Sequence, residues 1–364
     1  PLEFPDVMQR GGFDVVLGNP PWEVMQLSET EFFASINPEI ANLVGAARKR
    51  AIADLASTDP ALLRNFETEK RVAAAATEFA RGSDRFPLTS VGKINTYALF
   101  AELMVTLVRT RGSAAFITPA EIISSETLQD FFRYVSIKRI LQSAYIFENE
   151  EFVFPGIANV VRFCLMTIRK TANNSAKIAN YLRQVQHLGE MERIVELSPD
   201  ELALISPNNG TSPLFRSRTD FQLTKGVYER IRVFFEPSKG ELGNPWGINS
   251  RQGFFNLTAD SALFSSKEDL EAKGALPAKG GNFELGSDTF LQVYEGKFIW
   301  HFDHRSSSYH NLGIEKGRGG RGLPLISLAD YENPDFEVQP RYWVAEGEVR
   351  NSAAALDWRR EWLL

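Results

Sequence analysis

The stretch Phe13-Asp14-Val15-Val16-Leu17-Gly18-Asn19-Pro20-Pro21-Trp22 joins a short apolar run to a stiff polar turn. Its first five residues are rich in β-branched and aromatic side chains, which predicts a buried strand that ends at Gly18. The two prolines fix two φ angles and remove two backbone donors, so the chain leaves the strand in an extended conformation. In an open α/β sheet, ligands bind beyond the carboxyl ends of the strands, and this turn is expected at such an end.

The turn presents three groups that are suited to holding a planar amine: the Asn19 amide, the Pro20 carbonyl and the Trp22 ring. An amide oxygen and a neighbouring backbone carbonyl can both accept hydrogen bonds from one amino group. Two such acceptors favour a more tetrahedral nitrogen, whose lone pair is localised and aimed at an electrophile. The adjacent aromatic ring can stack on the base that carries the amine. The alternative is a proline-stiffened surface turn, because Asn-Pro is also a common turn pair.

Asn19-Pro20-Pro21-Trp22 after a hydrophobic strand resembles the catalytic motif of amino-group methyltransferases that use S-adenosylmethionine, above all the adenine-N-6 DNA methyltransferases. The longer string that begins at Leu2-Glu-Phe-Pro is similar to the large bacterial restriction–modification methylases, which join methylation to target recognition. The resemblance implies that the four residues of the turn are catalytic and that S-adenosylmethionine is the cofactor. It also implies a flipped adenine in double-stranded DNA as substrate and a role in a restriction–modification or phage-defence system.

Length, composition and charge limit the classes of protein to which the chain can belong. The chain has 364 residues and 43% hydrophobic content, which suits two domains with separate cores. Its formal charge of −6 gives no global basic signature, so any DNA-binding surface must be local. The single cysteine, Cys164, rules out an internal disulfide and favours a reducing cytoplasm. There is no signal peptide and no apolar run of about 18 residues, so no membrane partner is expected.

Residues 13–170 alternate strands and helices and end in a hairpin, which predicts an α/β sheet. A mostly helical insertion is predicted over about residues 28–85. It is either a solvated helical hairpin or a segment that approaches DNA or closes over the site. The resemblance implies that residues 1–170 form the C-terminal, catalytic half of a Rossmann-like methyltransferase sheet.

The segment Gly92-Lys93-Ile94-Asn95-Thr96-Tyr97-Ala98-Leu99-Phe100 resembles a family segment of the form Gly-x-Ile-Asn-x-Tyr-x-Leu-Phe. The resemblance implies that Asn95 and Tyr97 lie near the cofactor. An ordinary core helix, with Tyr97 packed inside, explains the same apolar spacing equally well.

The Gly-rich loop with which the family binds its cofactor has no counterpart in the sequence. No string similar to Asp-Pro-x-x-Gly-Ser-Gly occurs, and the glycines of 317–322 follow no apolar strand. We therefore expect the cofactor-binding half upstream of Pro1 in the same polypeptide.

A second aromatic candidate lies in Phe152-Val153-Phe154-Pro155-Gly156. In the family, a phenylalanine at the corresponding place stacks on the flipped base, opposite the catalytic aromatic residue. Phe154 directly precedes the proline and is the better match, with Phe152 in reserve. Two aromatic rings would recover part of the few kcal/mol that base flipping costs. The alternative is that both rings simply fill the core.

After residue 170 the composition changes, which predicts a connector over 171–206 and a mixed α+β target-recognition domain over 207–345. Residues 346–364 are predicted to form a C-terminal helical segment. Local positive charge and aromatic residues in this region suit contacts with phosphates and bases. Strings around 207–218 and 294–305 resemble recognition regions of the same methylases. The DNA-binding candidates are Arg216, Arg218, Arg251, Lys297 and Arg305.

His301, His304 and His310 lack the cysteines or the spaced carboxylates of a typical metal site, so no metal is expected. Two other functions remain open. The same turn also serves a methyltransferase that acts on RNA or on a protein glutamine amide. Because the Gly-rich loop is missing, the segment could also be a DNA-binding specificity module that is inactive on its own.

Overall fold

The computed structural model of the chain describes residues 3–247, 253–257, 259–311, 323 and 325–354. The chain divides into two compact units, Pro1–Ile248 and Asn249–Leu364.

A mixed sheet forms the centre of the first unit. Its six strands are Phe13–Gly18 (β1), Val108–Pro119 (β2), Leu141–Glu148 (β3), Arg162–Arg169 (β4), Ala176–Leu182 (β5) and Val195–Leu197 (β6). Their order among the described residues is β1-β2-β4-β3-β5-β6. The pairs β1–β2 and β3–β5 are parallel, whereas β2–β4, β3–β4 and β5–β6 are antiparallel. The first unit is therefore α/β with a sheet of mixed direction.

Helices flank this sheet and fill the segment that follows β1. In chain order they are Pro5–Gln9 (α1), Glu29–Ala34 (α2), Pro38–Asn42 (α3), Gly45–Thr58 (α4), Pro60–Gly82 (α5), Thr96–Leu107 (α6), Glu121–Ser124 (α7), Gln129–Ile137 (α8), Pro199–Ile205 (α9) and Arg218–Arg230 (α10). Helices α2 to α5 occupy the stretch for which the sequence predicts a helical insertion. They have a small core of their own around Phe33 and Phe66.

The main core lies between the sheet and helices α6 and α8. Ala101 of α6, Phe131 and Val135 of α8, and Ala144 and Met166 of the sheet are all essentially inaccessible to solvent. These residues recur at helical spacing on α6 and α8 and at alternate positions on the strands, as binary patterning requires.

The first unit extends to Ile248, beyond the segment that the sequence predicts as a connector. The segment predicted as a connector, 171–206, supplies β5 and β6 to the sheet. Residues 207–247 also belong to the first unit. Phe215 and Phe221 are buried in its main core, which ties this Gly- and Asn-rich stretch to the sheet. Loop composition reveals where a chain turns, but it does not show which core the intervening aromatic residues join.

The second unit is built around a small antiparallel sheet. Its described strands are Phe264–Ser265 (β7), Leu276–Pro277 (β8), Phe283–Leu285 (β9), Asp288–Gln292 (β10) and Trp343–Ala345 (β11), and its described helices are Lys267–Ala272 (α11), Leu328–Glu332 (α12) and Glu346–Ala354 (α13). The strand order is β7-β11-β10-β9-β8. Leu270, Phe283 and Trp343 form the core. Residues 355–364 of the predicted C-terminal helical segment lie outside the described residues.

Among the described helices of both units, none combines the length and the apolar character needed to cross a lipid bilayer.

A close backbone approach links β1 to β2. A Cβ atom on Gly112 would lie 2.8 Å from the carbonyl oxygens of Phe13 and Asp14, and 2.7 Å from Val108 Cγ1. No larger residue fits there without displacing the strand that carries the Asn19 turn. Arg109 also forms an ion pair with Asp14 across this pair of strands.

We predict that Gly112→Ala lowers the free energy of unfolding by about 1–3 kcal/mol, because the added methyl group overpacks the β1–β2 contact. Urea denaturation measures the change. Gly226→Ala is the matched control, since a Cβ at that helical glycine meets nothing within 4 Å. The control is expected to be neutral or stabilising. Equal destabilisation by both substitutions would contradict the prediction.

Candidate active site

The Asn19 turn lies at the carboxyl end of β1, where the sequence predicts it. Strand β1 ends at Gly18, and the next five residues have no regular secondary structure. The Asn19 side chain is exposed, whereas Pro20 is buried and holds the turn against the protein. The amide is therefore accessible to a ligand while its backbone is fixed.

Trp22 is held by a contact with the neighbouring strand, β2. Its indole N–H donates a long hydrogen bond, 3.4 Å, to the Ile117 carbonyl of β2. The half-buried ring packs against a cluster that includes Phe147 and Phe163. One part of the ring is thus anchored in the protein while the rest remains accessible.

The side chain of Thr96, the first residue of α6, fastens the turn to that helix. The Thr96 hydroxyl donates to the Pro21 carbonyl at 2.7 Å and accepts from the Glu23 backbone N–H at 3.1 Å. The Thr96 backbone N–H donates to the Glu23 carbonyl at 2.8 Å. We call these three contacts the Thr96 clamp. Next to the clamp, Val24 forms a β-bridge with Asn95, and the Met25 N–H donates to the Ile94 carbonyl at 3.0 Å.

The predicted cofactor residues therefore lie beside the turn. Asn95 is the N-cap of α6, and its side-chain oxygen accepts from the Tyr97 N–H at 3.3 Å. The Tyr97 ring is buried in the main core. Burial, with a smaller contribution from the charge of Glu121, raises the pKa of the Tyr97 phenol. The phenol therefore stays neutral at physiological pH.

A buried carboxylate supports the loop that precedes α6. Both Glu102 oxygens accept from the Leu88 N–H at 3.3 Å, and one also accepts from the Thr89 hydroxyl at 2.6 Å. Burial raises the pKa of Glu102, although these hydrogen bonds oppose the increase. The loop that leads to the Thr96 clamp is thus attached to the middle of the same helix.

Phe154 is positioned by a buried amide that sequence reasoning missed. Asn149, at the end of β3, is inaccessible to solvent. Its side-chain oxygen accepts from the Phe154 N–H at 2.9 Å, and its amide group donates to the carbonyls of Phe154 at 3.0 Å and Ile157 at 2.9 Å. The Phe154 ring meets Phe163 edge-on at 4.9 Å between ring centroids.

The structure brings the two predicted aromatic residues to one cluster. Trp22 and Phe154 both pack against buried residues that include Phe147, Phe163 and Leu182. Phe147 and Phe163 stack at 5.2 Å beneath them. The reserve candidate, Phe152, is more than half exposed and adopts a left-handed conformation. Of the two phenylalanines, Phe154 therefore has the fixed position.

The predicted DNA-binding residues fall in both units. Arg216 and Arg218 belong to the first unit, where Arg216 stacks over the Tyr181 ring at 5.2 Å and Arg218 donates to the Ile194 carbonyl at 3.4 Å. In the second unit, Lys297 pairs with Glu295 at 3.3 Å, and this contact raises the pKa of the ammonium.

Arg305 stacks over Tyr331 at 5.6 Å and donates to the Tyr331 carbonyl at 3.4 Å. Arg251 lies outside the described residues. The three histidines in 301–310 belong to no metal-binding cluster, because the described residues contain no group of three His, Cys, Asp or Glu side chains that could hold an ion.

Thr96 and Asn149 are the functional candidates that sequence reasoning did not single out. A signal existed for each of them. Thr96 opens an apolar helix directly after the N-cap, and Asn149 is a polar residue at the end of a strand. The partners of Thr96 lie more than 70 positions away, whereas those of Asn149 lie five and eight positions further along the chain, in a loop that follows β3.

No family model and no curated protein matches the chain. Among solved structures, its neighbours are restriction–modification enzymes. The type IIG restriction endonuclease BpuSI is 16% identical over 46% of this chain, with a TM-score of 0.26. A type I methyltransferase subunit from Streptococcus thermophilus is 12% identical over 55%, with a TM-score of 0.29. The DNA-bound type ISP enzyme LlaBIII is 12% identical over 73%, with a TM-score of 0.31.

The chain spans only 15%, 37% and 16% of the lengths of these three chains, respectively. All three TM-scores lie below 0.5.

We predict that Thr96→Val lowers the free energy of unfolding by about 1–3 kcal/mol, because the Pro21 carbonyl and the Glu23 N–H lose their side-chain partner. Thr96→Ser retains the hydroxyl and is expected to retain most of the stability. Urea denaturation gives both values.

Thr68→Val is the control, since the exposed Thr68 hydroxyl contacts only its own helix, where it donates to the Arg64 carbonyl and accepts a long hydrogen bond from Arg71. This control is expected to change stability by less than about 0.5 kcal/mol. A loss as large for Thr96→Ser as for Thr96→Val would mean that the hydroxyl contacts do not carry the effect.

Proposed function

We propose that this chain is the catalytic and recognition portion of an S-adenosylmethionine-dependent adenine-N-6 DNA methyltransferase of a restriction–modification or phage-defence system. One observation carries the proposal. An exposed Asn19 amide, on a turn made rigid by two prolines and the Thr96 clamp, adjoins Trp22, which shares an aromatic cluster with Phe154. A planar aromatic amine is the substrate that such a combination fits.

The turn would act by accepting hydrogen bonds. The Asn19 side-chain oxygen and the Pro20 carbonyl accept from the exocyclic amino group of adenine. The two acceptors localise the nitrogen lone pair and stabilise the positive charge that develops on it during transfer. A strong base is unnecessary, because the proton leaves after the new bond has formed. The chain's contribution is thus orientation and electrostatics.

Aromatic stacking would hold the adenine outside the duplex. Trp22, with its N–H bonded to Ile117, offers one ring, and Phe154, fixed by Asn149, offers the other. Stacking contributes about 1–3 kcal/mol per base, which offsets much of the few kcal/mol that unstacking costs. The shared cluster beneath both rings supports this sandwich.

S-adenosylmethionine supplies the methyl group when bound. The half-buried Asn95, next to the turn, fits one wall of a cofactor pocket. Tyr97 fits less directly, because its ring is in the core and acts by fixing the start of α6. The described residues thus offer a partial pocket, and the remaining wall must come from another segment.

We place that segment, the upstream half of the same polypeptide, along strand β1. Among the described residues, β1 pairs only with β2, which leaves its other edge unpaired. Val15 is 65% exposed and Leu17 is 79% exposed on this strand. An apolar strand with a free edge is a template for a further strand. Val15 and Leu17 lie on the same face of the sheet, so a paired strand together with an element packed on that face would cover both side chains.

Target recognition is assigned to the second unit together with the exposed arginines of the first, Arg216 and Arg218. Within the second unit, Lys297 and Arg305 lie in a segment, 296–321, whose net charge is +3 in a chain of net charge −6. Such a local excess suits phosphate contacts. Arg251, which lies outside the described residues, is proposed as a further DNA-binding residue from the sequence pattern alone.

We predict that Asn19→Ala in the full-length protein lowers transfer of a labelled methyl group to duplex DNA by about 100-fold or more. Its affinity for DNA is expected to stay within a few-fold, because the substitution leaves the phosphate contacts intact. Asn42→Ala, at an exposed position of helix α3, is the control and should retain activity. RNA and protein are tested as acceptors in the same assay. Retained turnover in Asn19→Ala, or preferred labelling of RNA or protein, would overturn the proposal.

We also predict that the segment 1–364 alone binds S-adenosylmethionine weakly, because it supplies only part of the pocket. Isothermal titration calorimetry should give a dissociation constant of about 1 mM or weaker for the segment and tighter binding for the full-length protein. Tight binding by the segment would contradict the upstream placement of the cofactor half. Equally weak binding by both proteins would instead favour a DNA-binding specificity module.

A further inference from the structure

A two-residue hairpin in the second unit presents aromatic side chains to solvent. The Trp300 N–H donates to the Asp303 carbonyl at 2.8 Å, and the Asp303 N–H donates back at 3.0 Å. His301 and Phe302 form the tip between them. Phe302 is completely exposed, and Trp300 is 70% exposed. We call residues 300–303 the aromatic hairpin.

Phe302 occupies a backbone position that aromatic residues seldom take. Its φ angle is 57°, in the left-handed region that a turn of this kind normally fills with glycine or asparagine. A non-glycine residue in this region is uncommon and strained. An exposed phenylalanine there gains no burial in exchange. Strained backbone positions cluster at active sites and ligand-binding sites, so the strain at Phe302 points to a ligand.

The base of the hairpin is firmly anchored. Phe298, just before it, is completely buried against Tyr294 and Tyr309. The Asp303 carboxylate accepts from the Tyr331 hydroxyl at 2.5 Å and from the Arg305 N–H at 2.8 Å. The exposure of the tip is therefore imposed by a packed base.

The chemistry of the surrounding sequence favours nucleic acid. In the sequence, the hairpin lies within 296–321, which carries five basic and two acidic residues for a net charge of +3. Lys297 and Arg305 are the basic residues of this segment that the structure describes, since Lys316, Arg318 and Arg321 lie outside the described residues. Basic side chains hold the phosphate backbone, and an exposed aromatic ring can stack on bases or enter between them. The Trp300 and His301 rings already stack on each other at 5.6 Å.

We propose that Phe302 is a wedge that inserts into the base stack of a bound DNA duplex. The proposal rests on the proposed function, since it takes duplex DNA as the ligand of the second unit. Insertion gives the exposed ring an apolar environment and opens the base stack locally.

The test compares the full-length protein with Phe302→Ala and Phe302→Leu. The probe is a pool of short DNA duplexes of randomised sequence, and fluorescence anisotropy gives the affinity at several salt concentrations. Phe302→Ala is expected to weaken binding by about tenfold, as the loss of one stacked ring does. The slope of log affinity against log salt should not change, because it reports phosphate contacts. Phe302→Leu keeps an apolar wedge and should retain most of the affinity.

Leu276→Ala is the matched control, because Leu276 is another exposed apolar residue of the second unit, at 70% exposure. It should bind like the unmodified protein. Phe302→Gly tests the strain separately and should not lower the thermal midpoint.

The outcomes separate the two proposals. If the unmodified protein does not bind the duplex pool, the proposed function fails. If it binds and Phe302→Ala binds equally well, or if the salt slope falls with the affinity, the wedge is overturned. If Phe302→Ala instead changes the oligomeric state in sedimentation, the hairpin contacts a second copy of the chain, and the wedge is likewise overturned.

Discussion

The candidate active site depends on the Thr96 clamp. A single hydroxyl joins the Pro21 carbonyl and the Glu23 N–H to the start of helix α6. Two prolines limit the torsion angles of the turn, but they leave two backbone nitrogens that cannot donate. Fixing the turn in space therefore requires partners for its carbonyl groups and for the few N–H groups that remain. Thr96 supplies both kinds of contact, and the bridge between Val24 and Asn95 extends them.

A second constraint is the packing of the two aromatic rings of the site on one buried cluster. Trp22 and Phe154 come from segments far apart in the sequence, yet both pack on the Phe147 and Phe163 pair. Because β4 lies between β2 and β3 in the sheet, the end of β3 with its Asn149 amide comes close to the strand that anchors Trp22. The two rings of the proposed sandwich therefore pack on the same buried residues. A shift in that cluster would move both of them.

The sequence predicted local features well and boundaries less well. The position of strand β1, the turn after it and the helices over 29–82 follow from periodicity and from proline and glycine chemistry. The prediction that β1 is buried was wrong, because none of its residues is buried and Val15 and Leu17 are exposed. The segment 171–206, which the sequence predicts as a connector, supplies β5 and β6 to the sheet. Phe215 and Phe221 decide that boundary by joining the first core. Loop composition cannot report which core receives a side chain.

The sequence by itself determined the functional groups of the turn, which are an amide, a carbonyl and an aromatic ring, and the stiffness that two prolines give its backbone. These are properties of consecutive residues, and local sterics are enough to infer them. Only the tertiary structure decided which residues hold these groups in place. The partners of Thr96 lie more than 70 positions away, and Asn149 is buried by a loop that folds back over it. Such contacts arise from strand order and packing, which no short stretch of sequence contains.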